Sequence, residues 1–318
     1  MSYQRYVDTL IEEFRNQRPL RANSLIITVY GDAIAPHGGT VWLGSLIKLL
    51  APFGLSHRLI RTSVHRLSKE NWLISEHVGR CSYYSLTQSG RRRFEDAYRR
   101  IYATSQQKWD GCWHLVFIAL PDVTPAQRET IRRELAWQGF GVIAPGVLAH
   151  PDLDADNALE TLQELNVRDK TVIMKANSET QFAERPLREL VSQCWNLAKL
   201  AQDYKQFLER FRPLWRSLQD AETLDAERCF WVRTLLIHEY RRVLQRDPHL
   251  PDELLPADWA GVAARSLCRN LYRLVQAQAE DYLMAILETA DGPLPEAAPY
   301  YFTRFGGLAH YHDNTEKA

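Results

Sequence analysis

The stretch from Ser56 to Leu86 narrows the folding options more than any other part of this chain. Projected at about 100° per residue, the segment Arg58–Lys69 divides into two faces. Arg58, Arg61, Thr62, His65, Arg66 and Lys69 share one side, and Ile60, Ser63, Val64 and Leu67 share the other. The apolar side can seat a helix on a small core. The opposite side carries cations and no acid. Ser56 is a suitable N-cap, and Asn71 stands where a left-handed residue would end the helix. Leu73–His77 and Ser82–Leu86 then read as two strands joined through Gly79, with Arg80 at the tip. A basic helix followed by a short hairpin is the pattern of a winged helix-turn-helix. Its cations can meet phosphates, and its forked donors can meet base edges.

The elements around this stretch agree with such a head. Ser24–Tyr30 and Leu43–Leu50 read as two lead-in helices, Gly31–Gly44 as a loop, and Thr87 as the cap of a fourth helix that runs to about Tyr102. Arg91, Arg92 and Arg93 form a basic run on that helix, suited either to a solvated face or to phosphate contact.

Charge supports the same division. The chain has 39 Lys+Arg and 39 Asp+Glu, but residues 1–103 hold 15 basic against 8 acidic residues. A basic head on an acidic body fits one domain meeting a polyanion. At 318 residues the chain has room for two or three domains. Its five scattered cysteines form no CxxC pair, which points to a reducing compartment and away from a cysteine zinc site. No apolar run approaches the roughly 18 residues of a membrane span, and Met1–Arg21 lacks the apolar core of a signal peptide. The expectation is a cytoplasmic protein with no membrane partner.

Beyond the head, Trp113–Leu120 reads as a strand, Pro125–Gln138 as a helix, Gly139–Ala149 as strand-like, Ala158–Leu165 as a helix and Thr171–Lys175 as a strand. That alternation suggests a ferredoxin-like α+β domain. Gly139, Gly141 and Ala144 match the dinucleotide pattern GxGxxA, but a helix precedes them and a strand follows, the reverse of what the fingerprint needs. They read better as a turn into a strand. The same region resembles the small ferredoxin-like CRISPR-associated nucleases, in which an aspartate after the first strand holds a metal. Asp122 stands at that position, though no second acid accompanies it.

From Arg185 onward the chain reads as helical. Leu190, Cys194, Leu197, Ala201, Tyr204, Leu208 and Phe211 form a four-and-three seam, fit for packing within the chain or against a second copy. Pro186 should open that helix and Pro213 should end it. Ala226–Arg246 is apolar nearly all round, and a third helix spans about Trp259–Glu288. His238, Arg241 and Arg242 interrupt the apolar helix. They can form internal salt bridges or a cationic pocket for an anionic effector. The expected architecture is therefore multidomain α+β. It has a winged helix-turn-helix at residues 1–103, a ferredoxin-like domain at 104–180 and a mainly helical effector and dimerisation domain at 181–318. No serine-hydrolase elbow, P-loop or kinase signature points to an enzyme.

Several motifs are shared with one family. They are Tyr30-Gly31-Asp32, Gly38-Gly39, Trp42 to Leu46, Arg61-Thr62, Arg66-Leu67, Trp72-Leu73, Gly79-Arg80 and Ser82 to Leu86 in the head. Trp109-Asp110-Gly111 and Trp137 to Gly141 follow in the middle. Asp247-Pro248, Leu250-Pro251, Leu254 to Pro256, Trp259 to Gly261 and Arg304 to Leu308 complete the set. On these the chain resembles the PaaX family, repressors of phenylacetic acid catabolism, over nearly its whole length; Asn71 departs from the family's usual glycine. The resemblance implies a homodimeric repressor on double-stranded operator DNA, released by phenylacetyl-coenzyme A. In that reading Arg58, Arg61, Thr62, His65, Arg66, Lys69 and Arg80 contact DNA, and no cofactor is needed. Two alternatives are a metal-dependent nuclease using the middle domain and a DNA-binding protein indifferent to any ligand.

Overall fold

A computed structural model describes residues 2–102, 109–151, 155–177 and 184–308. The chain divides into two compact units. The first comprises Met1–Thr104, Gln206–Arg242 and Ala263–Ala318; the second comprises Ser105–Lys205 and Val243–Val262. The boundaries expected near 103 and 180 lie outside the described residues.

The first unit opens with a helix, α1 (Tyr3–Arg15), which the sequence reading passed over. Tyr3, Val7, Leu10, Ile11 and Phe14 are buried along one stripe, the helical spacing that burial of a single face demands. The lead-in helices follow as α2 (Ala22–Val29) and α3 (Leu43–Leu50). The segment between them is not the expected open loop. Tyr30–Ile34 is a π turn and Ala35–His37 a 3-10 turn, followed by β1 (Thr40–Trp42). Gly38 and Gly39 both adopt positive φ, 87° and 81°, which glycine alone takes without strain.

Helix α4 (His57–Lys69) precedes the hairpin of β2 (Leu73–Val78) and β3 (Cys81–Leu86). The sheet is antiparallel in the order β1-β3-β2, with Leu73 opposite Leu86 and Val41 opposite Tyr84. Helix α5 (Gln88–Tyr102) leaves the hairpin through Thr87.

In the second unit, β4 (Cys112–Phe117), α6 (Pro125–Trp137), β5 (Gly141–Ala144), β6 (Val147–His150), α7 (Ala155–Glu164) and β7 (Val172–Asn177) run in sequence. The sheet order is β5-β6-β4-β7, antiparallel throughout. Thr124 and Gln127 form a capping box at the start of α6. Val116, Ile131, Leu135, Leu148 and Leu162 make the core between sheet and helices. A second cluster gathers Trp113, Val191 and Trp195 with Leu250, Leu254 and Leu255 of the Leu-Pro stretch. Gly139, at φ 100°, makes the turn into β5, and its carbonyl accepts the Trp195 indole N–H at 2.8 Å.

Four further helices are α8 (Glu184–Cys194), α9 (Leu197–Gln219), α10 (Ala226–Leu244) and α11 (Ala260–Ile286). The apolar seam is thus carried by two helices, interrupted at Trp195–Asn196. Leu197, Tyr204, Leu208 and Phe211 are buried. Pro213 does not end its helix but lies inside α9. The buried side chains on either side of it, Phe211 and Leu214, provide packing that outweighs the roughly 3 kcal/mol cost of an interior proline.

Candidate nucleic-acid interface

The geometry of α4 follows from its sequence. Ser56 accepts the Leu59 backbone N–H at 3.2 Å, which satisfies one of the orphan donors of the first turn. Ile60, Ser63, Val64 and Leu67 are buried. Arg58, Arg61, Thr62, His65, Arg66 and Lys69 are all exposed. Thr62 donates back to the Arg58 carbonyl at 2.9 Å, and Arg66 pairs with Glu70 at 2.8 Å. Asn71 takes φ 59° at the helix exit. Arg80 is exposed beside Gly79, whose φ of 61° makes the hairpin turn. One cationic helix face and one cationic hairpin tip therefore belong to the same small sheet-and-helix module.

The run on α5 has a different character. Arg91 donates to the Gly38 carbonyl at 2.9 Å, and Arg93 stacks on Trp72 at 4.7 Å. Thr87 caps the helix by accepting from Gly90 and also donates to the Asn71 carbonyl at 2.6 Å. These bonds fasten α5 to the exit of α4.

His238, Arg241 and Arg242 lie on α10. His238 is fully buried, bonded to Thr28 at 3.2 Å and set against the Phe14 ring. Burial, reinforced by Arg241 and Arg242, lowers its pKa to about 3, so it is neutral at ordinary pH. Arg241 donates to the carbonyl and hydroxyl of Ser24, and burial lowers its pKa to about 10. Arg242 pairs with Glu239 at 2.8 Å. All three side chains thus have internal roles.

The sequence reading passed over a further arginine on the same helix, Arg233. It is fully buried and donates to Asp32 at 2.7 Å and to Glu280 at 2.6 Å. Arg304, also fully buried, reaches Asp32 at 3.1 Å. Tyr102 and Tyr272 donate to the same carboxylate at 2.6 and 3.0 Å. Burial opposes ionisation of Asp32, but Arg233 and Arg304 hold its pKa below the usual carboxylate range. Glu280 is lowered to about 2 against the same desolvation, by Arg233 and the His37 hydrogen bond. The network ties the turn after α2 to α5, α10, α11 and the segment Pro299–Gly306. Two motifs noted in the sequence, Tyr30-Gly31-Asp32 and Arg304 to Leu308, meet in it.

In the second unit, Asp122 is exposed just after β4. Among the described residues, no group of three or more His, Cys, Asp or Glu is placed to hold a metal ion, and no helix is long and apolar enough to cross a membrane.

Fold and site together define a mixed α/β protein with a basic helix-and-hairpin module. Comparison makes the class particular. Residues 21–90 match the family described as PaaX-like protein, residues 106–189 the PaaX protein central Cas2-like domain, and residues 195–285 the PaaX-like protein C-terminal domain. The chain is 40% identical over 304 residues to the transcriptional repressor PaaX of Escherichia coli K12, covering 95% of both chains. It belongs to the PaaX family. The solved structure of the uncharacterized protein Rv0674 from Mycobacterium tuberculosis aligns with a TM-score of 0.51 at 24% identity, covering 82% of this chain and 98% of that one. That likeness bears on the fold alone.

Proposed function

We propose that this protein is a DNA-binding transcriptional repressor of phenylacetate catabolic genes, acting as a non-enzymatic homodimer in the cytoplasm. The observation that carries the reading is the face of α4. Arg58, Arg61, Thr62, His65, Arg66 and Lys69 are all exposed on it, and Ile60, Ser63, Val64 and Leu67 on the other side seat the helix. The name of the Escherichia coli relative supports the regulatory role. In this reading α2 to α5 and the β1-β3-β2 sheet are a winged helix-turn-helix, with α4 as recognition helix and Arg80 on the wing. The β4–β7 unit is a ferredoxin-like domain, for which the β-α-β-β-α-β order and the 2-3-1-4 strand arrangement speak. Arg58, Arg61, Thr62, His65, Arg66, Lys69 and Arg80 divide between phosphates and base edges. Two heads would read half-sites about one helical turn apart, or a multiple of it.

Release by phenylacetyl-coenzyme A belongs to the same proposal. It requires a thioester that binds the DNA-free state more tightly than the DNA-bound one. His238, Arg241 and Arg242 are the candidates the sequence offers for that site. Because Arg242 holds Glu239 and His238 is sealed against Thr28, a ligand there would have to displace internal partners. The test is fluorescence anisotropy of the full chain on a labelled phenylacetate-operon promoter fragment, at stated salt. Selective binding that the thioester reverses, while free phenylacetate or coenzyme A does not, supports the whole reading. Selective binding indifferent to the thioester removes the effector from it. Binding no tighter than to an unrelated fragment overturns it.

A further inference from the structure

Three cavities compete for an anionic, aromatic ligand. The one in the second unit, about 230 Å³, is smaller than the roughly 300 Å³ at which small-molecule sites usually begin, and Asp203 lies between its Lys199 and Arg246. A cavity of about 460 Å³ beside His37 is bordered by Glu280, Asp281 and Glu296, the wrong sign for an anion. The third, about 680 Å³, lies in the first unit between α5, the turn at Gly31–Gly38 and the segment Ala298–Tyr300. Its volume falls within the usual range for small-molecule sites, roughly 300–1,000 Å³. Arg91 and Arg99 line it with Phe94, Tyr98 and Tyr300, and among the described residues Glu95 is the one acid in its lining.

We infer that this cleft is the effector site, taking an aryl-acyl coenzyme A thioester with its ring among Phe94, Tyr98 and Tyr300 and its phosphates toward Arg91 and Arg99. The inference rests on the repressor reading and adds a location to it. The chemistry matches on two counts. Aromatic rings accept a flat apolar group edge-on or offset, and guanidinium forks bind phosphate by charge-assisted hydrogen bonds.

The position also explains how a ligand could reach the DNA face. Tyr98 donates to the Tyr300 carbonyl at 2.6 Å, and the Ala298 N–H donates to the Pro36 carbonyl at 2.9 Å. The cleft walls are therefore held by a few bonds between α5, the Gly31–Gly38 turn and the C-terminal segment. Arg91 spans the cleft to the Gly38 carbonyl, next to β1. A phosphate would compete with that carbonyl for Arg91 and loosen α5. On the same helix, Phe94 meets Trp72 and Arg93 stacks on it, directly behind the exit of α4. A shift of α5 thus acts on the recognition helix and the hairpin through one layer of side chains. It needs no long relay.

The experiment titrates phenylacetyl-coenzyme A into the full chain, without DNA, by isothermal calorimetry. It compares the wild type with Arg99→Glu, Tyr300→Ala and the control Arg92→Glu, which carries the same charge change on α5 outside the cleft. Circular dichroism melts confirm that each variant folds. The expected result is a loss of at least tenfold in thioester affinity for Arg99→Glu and Tyr300→Ala, with Arg92→Glu within about twofold of wild type. Wild-type affinity in both cleft variants overturns the cleft and leaves the repressor reading intact. An equal loss in all three also overturns it, since charge alone would then explain the effect. No thioester binding by the wild type overturns the cleft together with the effector part of the repressor reading.

Discussion

Helices α4 and α10 carry similar residues to opposite ends. Each sets arginines and a histidine at helical spacing against an apolar stripe. On α4 the cations face solvent. Among the described residues, the side chains of Arg58, Arg61, His65 and Lys69 have no hydrogen-bond or ion-pair partner, and only Arg66 is engaged, by Glu70. On α10 every cation named has an internal partner: Arg233 holds Asp32 and Glu280, Arg241 holds Ser24, and Arg242 holds Glu239. A cation without a protein partner remains available to a polyanion, whereas a buried, paired cation is part of the fold. Sequence spacing shows which face a charge occupies; it does not show what that face meets.

That contrast yields predictions of decreasing size. Arg233→Met should destabilise the first unit by about 3–5 kcal/mol, because it leaves buried carboxylates uncompensated. Arg61→Ala should change stability by no more than about 0.5 kcal/mol. Parallel urea melts of the two variants check both, and equal losses would erase the distinction between the helices.

Acid should separate the helices next. His238 is neutral in the fold, with a pKa of about 3 against about 6.5 when unfolded. Between those values the unfolded chain binds the extra proton, so stability falls as pH drops below about 6.5. Glu280 and Asp32 add to the loss below about pH 4.5, where protonation weakens their pairs with Arg233. The His238 contribution lost by pH 4 is on the order of 3 kcal/mol. His238→Gln should flatten the fall between pH 6.5 and 4 in a series of melts.

On the DNA side, Arg61→Ala or Arg66→Ala should cost about 1–3 kcal/mol of operator affinity if the side chain reads a base. A phosphate contact would instead lower affinity uniformly across sequences and reduce the salt slope by about one. Anisotropy at several salt concentrations distinguishes the two. A modest effect is expected at the cap: Ser56→Ala should cost about 1 kcal/mol of stability and leave the hairpin in place.

What the sequence revealed depended on how local the causes were. The extent of α4, its cap, the left-handed Asn71 and the two hairpin strands all follow from periodicity and turn chemistry within some thirty residues. Helix α1 carries an equally local signal in the helical spacing of Tyr3, Val7, Leu10, Ile11 and Phe14. The Gly31–Gly44 segment looked like a loop because its glycines and Pro36 dominate the pattern. Its order comes from distant partners, Arg233, Tyr272 and Arg304, which converge on Asp32. No periodicity connects residues about 200 positions apart. Pro213 shows the same limit: a local rule would stop the helix there, and tertiary packing carries it through. The candidate DNA contacts were therefore legible, while the buried network that secures the module behind them was not.

The most direct test of the account is anisotropy of the intact chain on the promoter fragment and on an unrelated duplex of equal length, for the wild type, Arg61→Ala/Arg66→Ala and Arg241→Ala. The account predicts selective binding by the wild type and loss of that selectivity in the α4 double variant, with its thermal melt unchanged. Arg241→Ala should keep its selectivity wherever it remains folded. Retained selectivity in a folded α4 double variant would contradict the assignment of α4 as the surface that reads DNA.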